Sequence, residues 1–182
     1  SPRCLKVNEI FADDDGLPQL QPRRFLLNCT LPESEVERAH PYLWRYLLSG
    51  RQNTGSKYLC KSRKTWYFQE QRSSTPFLCS YMGRRSSEDD SPFRFILNHS
   101  NAIVTNSYLM LYPKDFVSLA MVKDKSLAQE IWLALKTITP ENLTSEGRVY
   151  GGGLRKIEPK ELCRVKCPRL NSLLHDAIPC QM

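Results

Sequence analysis

The chain has 182 residues, 41% of them apolar, with 26 Lys and Arg against 19 Asp and Glu for a formal net charge of +7. That length suits one domain with a sizeable core, or one domain with a small appendage. No apolar run approaches the roughly 18 residues of a membrane span, and no signal peptide follows Ser1, so the reading excludes a membrane protein and expects a cytoplasmic one.

In chain order, Leu5 to Ala12 reads as a short strand closed by the Asp13-Asp14-Asp15-Gly16 turn, and Arg24 to Cys29 as a second strand. Residues 32–49 read as helix in two pieces, with Pro41 in the first turn of the second and Gly50 as its stop. Residues 50–56 are polar and read as a loop. Strand patterns follow: Phe77, Cys79 and Tyr81 alternate with Leu78, Ser80 and Met82; Phe93, Phe95 and Leu97 alternate with Arg94, Ile96 and Asn98; and Ala102 to Tyr112 is rich in β-branched and aromatic residues. Arg84 to Ser91 is a polar connection, and Pro113 ends the sheet region. Asp124 caps a predicted helix over about Lys125 to Thr137, whose stripe is Leu127, Ile131, Leu135 and Ile138. Thr139-Pro140 opens a short helical turn, Gly151-Gly152-Gly153 is a flexible tract, Glu158 to Leu162 is a short helix, and the tail is helical around Leu170 to Ala177. The predicted fold class is α+β, with a mainly antiparallel central sheet, short flanking helices and a helical C-terminal part. Its expected division is a β-rich core over 1–120, including the helical segment 32–49, with a helical extension over 121–182 packed on it, or one single domain.

A basic balance favours an anionic partner. Residues 51–85 hold Arg51, Lys57, Lys61, Arg63, Lys64, Arg72, Arg84 and Arg85, with Glu70 as the one acid, whereas acids cluster at Asp13–Asp15, Glu33–Glu37 and Glu88–Asp90. One basic face is expected. The seven cysteines are odd in number and irregular in spacing, which fits reduced thiols. Cys163 and Cys167 would need about two more ligands to hold zinc, and read as ordinary thiols.

Catalytic motifs are missing. His40, His99 and His175 stand in no nucleophile motif, there is no Gly-x-Ser-x-Gly elbow, and the glycine tract lacks the Gly-Lys-Ser/Thr ending of a phosphate loop. Enzymes that methylate an adenine amino group flip the base out and hold it against a polar-Pro-Pro-aromatic motif. This sequence has no Pro-Pro pair and no glycine-rich cofactor loop after a strand, so no methyl donor is expected to bind it.

The segment Lys61 to Arg72 interleaves cations with aromatics and amides. Lys and Arg attract phosphates; Arg can read guanine, and Gln or Asn can read adenine, in the major groove. Gln52, Asn53, Gln69 and Gln71 supply amides. As a strand, the segment would turn Trp66 and Phe68 toward a core. Glu70 and Arg72 would share a face and could pair, with Arg63 or Arg94 joining them. Asn98 and Asn106 read as turn-ordering residues or as base contacts.

Arg63-Lys64-Thr65-Trp66-Tyr67 with Glu70 and Arg72 resembles a signature that follows the catalytic domain in a group of adenine-specific DNA methyltransferases. Pro76-Phe77-Leu78, Tyr81-Met82-Gly83-Arg84, Pro92 to Ser100 and Asn106 to Pro113 continue the likeness. Arg148-Val149-Tyr150-Gly151-Gly152-Gly153-Leu154 through Leu162 is similar to a string near the end of such enzymes. Together these cover about residues 45–170. The resemblance is to the C-terminal target-recognition domain of Eco-type restriction-modification methylases, and it implies a duplex-DNA-gripping part whose S-adenosylmethionine site and methyl transfer belong to a separate N-terminal domain of the same parent chain. Beginning at Ser1 rather than Met, the sequence reads as an excised fragment or trimmed product.

The implied DNA-binding set puts Lys57, Lys61, Lys64, Arg84 and Arg85 near phosphates, with Arg63, Arg72 and loop amides reaching base edges. Arg94, Arg155 and Lys156 complete it. The glycine tract either lets backbone approach DNA or the catalytic domain, or forms a tight turn before Arg155 and Lys156. One alternative is a non-catalytic module docking an acidic protein through Trp66, Tyr67 and the C-terminal helix. The other is a metal nuclease built on the acidic clusters, which read instead as solvated turns.

Overall fold

A computed structural model describes residues 5–84 and 91–177. In chain order the elements are β1 (Glu9–Ile10), α1 (Glu33–Ala39), α2 (Pro41–Gly50), a π-helical turn (Arg51–Gly55), α3 (Tyr58–Lys61), β2 (Phe77–Ser80), β3 (Met82–Gly83), β4 (Phe95–Asn98) and β5 (Tyr108–Leu111). Then come α4 (Asp115–Lys123), α5 (Leu127–Leu135), α6 (Pro140–Glu146), β6 (Arg148–Tyr150), β7 (Leu154–Lys156), α7 (Pro159–Leu162) and α8 (Pro168–Ala177). The fold is α+β, as the pattern predicts.

The chain forms two compact units. One is Pro22–Arg72; the other combines the residues before it with those after it. This division differs from a boundary near residue 120, because the sheet recruits β1 from the start of the chain and its covering helices from the end.

The larger unit is built on a four-stranded sheet in the order β1-β4-β2-β5. β1 runs parallel to β4, and the other pairs are antiparallel, with Phe77 opposite both Leu97 and Leu111. The two-residue side-chain period sorts the strands onto two cores. Phe77, Cys79, Phe95 and Leu97 pack with Val117, Leu127, Ile131, Trp132, Leu143 and Ile157. Leu78, Ile96 and Tyr108 pack on the opposite side with Ile10. Both faces are thus covered, and burial pushes the Cys79 thiol up to about 12.

The predicted α5 stripe is present, and the Trp132 indole N–H donates to the Phe95 carbonyl at 3.0 Å, fixing α5 to β4. Asp124 orders the turn into α5 by accepting from the N–H and the hydroxyl of Ser126, which hold its carboxyl below the usual range. Thr139 accepts from the Asn142 N–H at the start of α6. Leu170, Leu173 and Leu174 of α8 pack against the same core. Asn98 is buried, donating to Thr75 and Ala102 carbonyls and accepting from Ser100, so it orders the loop after β4.

Some expected strands are shorter or missing. Within Leu5–Ala12 only Glu9–Ile10 forms a strand. In Ala102–Tyr112 only Tyr108–Leu111 does, because a turn from Thr105 to Tyr108 takes the residues before it. Arg24–Cys29 is irregular, with Phe25 and Leu26 exposed and no strand beside it among the described residues. α4 went unpredicted, since Val117 is its one buried residue and Phe116, Leu119 and Val122 are exposed.

In the Pro22–Arg72 unit, α1 and α2 meet at Pro41 as predicted. Their buried residues Val36 and Leu47 pack with Cys29 and Tyr67. Gly50 does not stop the chain's helical course, which runs on into Arg51–Gly55 where a loop was expected.

Among the described residues no helix is long and apolar enough to cross a membrane. Nor do three or more His, Cys, Asp or Glu side chains gather there in a metal-holding group.

Candidate nucleic-acid interface

The Pro22–Arg72 unit holds ten Lys and Arg against four Asp and Glu, a net +6 of the whole chain's +7. Its acids are Glu33, Glu35 and Glu37 in α1, and Glu70. Between Arg38 and Gln69 there are seven cations and no acid. The excess charge is therefore local, which raises the potential that an approaching polyanion meets.

Within this unit the segment after α3 is turned rather than extended, and this changes which ring is inside. Tyr67 is 3% exposed and its hydroxyl donates to the Leu31 carbonyl at 2.6 Å. Burial, then the nearby Cys29 and Glu33, push that phenol above its ordinary value, so it stays a donor. Trp66 is half-buried and meets Tyr67 edge-on, whereas Phe68 is exposed. A strand's alternation would have buried Trp66 with Phe68; the turn buries Tyr67 instead.

Lys57, Lys61 and Lys64 are exposed, and Arg63 is half-buried. No ion pair holds any of the four among the described residues. Arg72 does pair, with Glu70 at 2.7 Å, as the spacing suggested. Arg51 reaches Glu33 at 3.2 Å. Sequence reasoning passed over the outer face of α2. Helical spacing puts Tyr42, Arg45 and Tyr46 together on the side opposite Leu43 and Leu47, with Tyr42 89% and Tyr46 67% exposed. The missed signal was that two tyrosines and an arginine fall outside the apolar stripe.

The remaining predicted cations belong to the sheet unit, where most are engaged. β6 and β7 form a hairpin that pairs through β7 with β3. Arg148 and Lys156 stand opposite each other on one face. Arg148 donates to Glu161 at 2.8 Å, and Lys156 lies 2.7 Å from Glu158 and over the Tyr81 ring. Glu158 also accepts from the Tyr81 hydroxyl. The two glutamates form the capping box of α7, so one helix start braces the hairpin. Hydrogen bonding to Glu161 raises the Arg148 guanidinium, and hydrogen bonding to Glu158 raises the Lys156 ammonium above its usual range. Arg155 donates to Thr144. Arg94 donates to the carbonyls of Leu5 and Lys6, tying the segment before β1 to the start of β4. Arg84 is exposed and reaches the Gly152 carbonyl at 3.2 Å. Arg85 lies outside the described residues.

The glycine tract is the tight turn of this hairpin. Gly152 and Gly153 both have φ of +70°, a conformation that side-chain-bearing residues rarely adopt, and a Cβ on either would meet nothing. Backbone conformation, not crowding, requires glycine there.

An α+β fold with its excess charge confined to one small unit frames the comparison with known proteins. Over residues 8–180 the chain matches the family described as the C-terminal domain of type II methyltransferase M.Eco57I, and it belongs to that family. Type II methyltransferase M.XamI of Xanthomonas campestris pv. amaranthicola is 35% identical over 117 residues, a stretch covering 64% of this chain and 19% of that protein. The chain thus spans about a fifth of that relative's length. No solved structure matches it significantly.

Proposed function

We propose that this chain grips duplex DNA and selects the target for an adenine-specific type II DNA methyltransferase of a restriction-modification system. S-adenosylmethionine and methyl transfer belong, in this reading, to a catalytic domain elsewhere in the parent protein. The observation that carries it is the concentration of +6 in Pro22–Arg72, with exposed lysines that no carboxylate neutralises among the described residues. Family membership supplies the context. Phosphate contacts by such lysines release counterions, give affinity and set register, leaving base choice to neighbouring side chains. Docking of an acidic protein through Trp66, Tyr67 and α8 fits less well, because Tyr67 is buried and the leucines of α8 already pack on the core. The test is a gel-shift titration of the Lys61→Glu/Lys64→Glu variant on duplex DNA. Weakened binding with a flatter salt dependence is expected, and unchanged binding would remove the assignment.

A further inference from the structure

The segment Arg51-Gln52-Asn53-Thr54-Gly55 is a single π-helical turn, a rare form that recurs at functional sites. Both of its ends rest on one ring. A Cβ on Gly55 would lie 3.1 Å from Trp66 Cδ2, and one on Gly50 would lie 3.5 Å from Trp66 Cη2. The indole therefore spans the base of the turn from its fused bond to its far edge. Trp66 is fixed in turn by the edge-on contact with Tyr67, which the Leu31 carbonyl holds. Glu33 tethers Arg51. The ends of the turn are pinned, and Gln52, Asn53 and Thr54 stand exposed between them. Neither side-chain amide is engaged by a partner among the described residues.

An exposed amide pair on a pinned turn loses little freedom on binding, which is what base readout requires. A side-chain amide both donates and accepts, matching the N6 donor and N7 acceptor that adenine shows in the major groove. Lys57, Lys61 and Lys64 are exposed in the same unit and in this reading meet phosphates, so contact to bases and contact to backbone come from one unit. We infer that the Arg51–Gly55 turn is the base-reading element of this domain, with Gln52 and Asn53 as specificity-determining residues directed at adenine. The inference rests on the DNA-gripping role proposed above and deepens it.

The experiment selects bound duplexes from a random-sequence pool with the intact chain and with its Gln52→Ala/Asn53→Ala variant. Both proteins are also titrated on unselected duplex, and circular dichroism checks their folding. The intact chain is expected to enrich a motif with fixed adenines. The variant is expected to bind unselected duplex within about twofold of the intact chain while losing about tenfold of its preference at one or two of those adenines. If the variant enriches the same motif with the same preference, or if the intact chain binds duplex without enriching any motif, the inference falls and the DNA-gripping role stands. If the intact chain binds no duplex, both fall.

Discussion

The cations separate into two groups that a salt titration distinguishes. Lys57, Lys61 and Lys64 are exposed and unpaired among the described residues, whereas Lys156 holds Glu158 at 2.7 Å and covers the Tyr81 ring. The salt slope counts cations that the DNA releases when a protein charge neutralises a phosphate, and an ammonium already held by a carboxylate neutralises none, so it should add nothing to the slope. Each free lysine that meets a phosphate contributes about 0.9 to the slope of log affinity against log salt, or about 2.7 for three. Between roughly 50 and 200 mM salt that slope corresponds to about a 40-fold loss of affinity. Converting the three lysines to methionine should remove this component, so the variant binds more weakly at low salt and declines less as salt rises. Lys156→Met should leave the slope unchanged and lower stability instead. Fluorescence anisotropy on a random-sequence duplex, run over a salt series, gives all three slopes. The reasoning fails if the triple variant keeps the parent slope, or if Lys156→Met flattens it as much as three lysines do.

Two further outcomes test the sheet unit. A Cβ at Gly83 would sit 2.0 Å from the Pro92 carbonyl oxygen, and backbone on both sides leaves little room to give. Gly83→Ala should therefore lower unfolding free energy by about 3 kcal/mol in a urea titration, and an unchanged midpoint would show that the β3 contact is wrong. Glu158 and Glu161 both lie below the ordinary glutamate value of 4.5: Lys156 and then Tyr81 hydrogen-bond the first, and the Glu158 N–H and then Arg148 hydrogen-bond the second. Carboxyls lowered by folding stabilise fully above the unfolded value, and that contribution disappears as pH falls through the folded values. Urea midpoints taken from about pH 6 to about pH 2.5 should fall more steeply for the wild type than for Glu161→Gln, and parallel curves would refute the bracing of the hairpin.

How much was legible depended on whether a residue's partner lay within reach of a local pattern. β2 and β4 were readable because alternation alone sorts Phe77, Cys79, Phe95 and Leu97 from Leu78 and Ile96, and the sheet has a core on each side to receive them. Pro41, Thr139 and the α5 stripe act within a turn or two of helix, and each was found where predicted. The strand considered as one reading of the basic segment does not form, because its turn is fixed by Trp66 against Gly50 and Gly55, and by Tyr67 against Leu31, contacts no periodicity encodes. Among the candidate cations, the sequence did not separate engaged side chains from free ones. Arg94 finds its carbonyl partners 88 and 89 residues away, and both glutamates bracing the hairpin come from a helix after the strands they hold.

Concentrating +6 in 51 residues has a cost for the unit that carries it. Like charges repel in the compact state, and the buried apolar residues opposing that repulsion are four: Cys29, Val36, Leu47 and Tyr67. The larger unit, by contrast, is nearly neutral, with sixteen Lys and Arg against fifteen Asp and Glu, and has two cores. A small core under self-repulsion opens at lower free energy than a large neutral one. If duplex DNA binds this unit as proposed, it relieves that repulsion, and a ligand that binds only the folded form stabilises it by mass action. Hydrogen exchange of the intact chain should therefore show the amides of Pro22–Arg72 exchanging first in the free protein and gaining most protection on adding duplex. The backbone of β2 and β4 should change little. Equal protection across both units, or a gain confined to the sheet, would separate the charge of this segment from DNA binding.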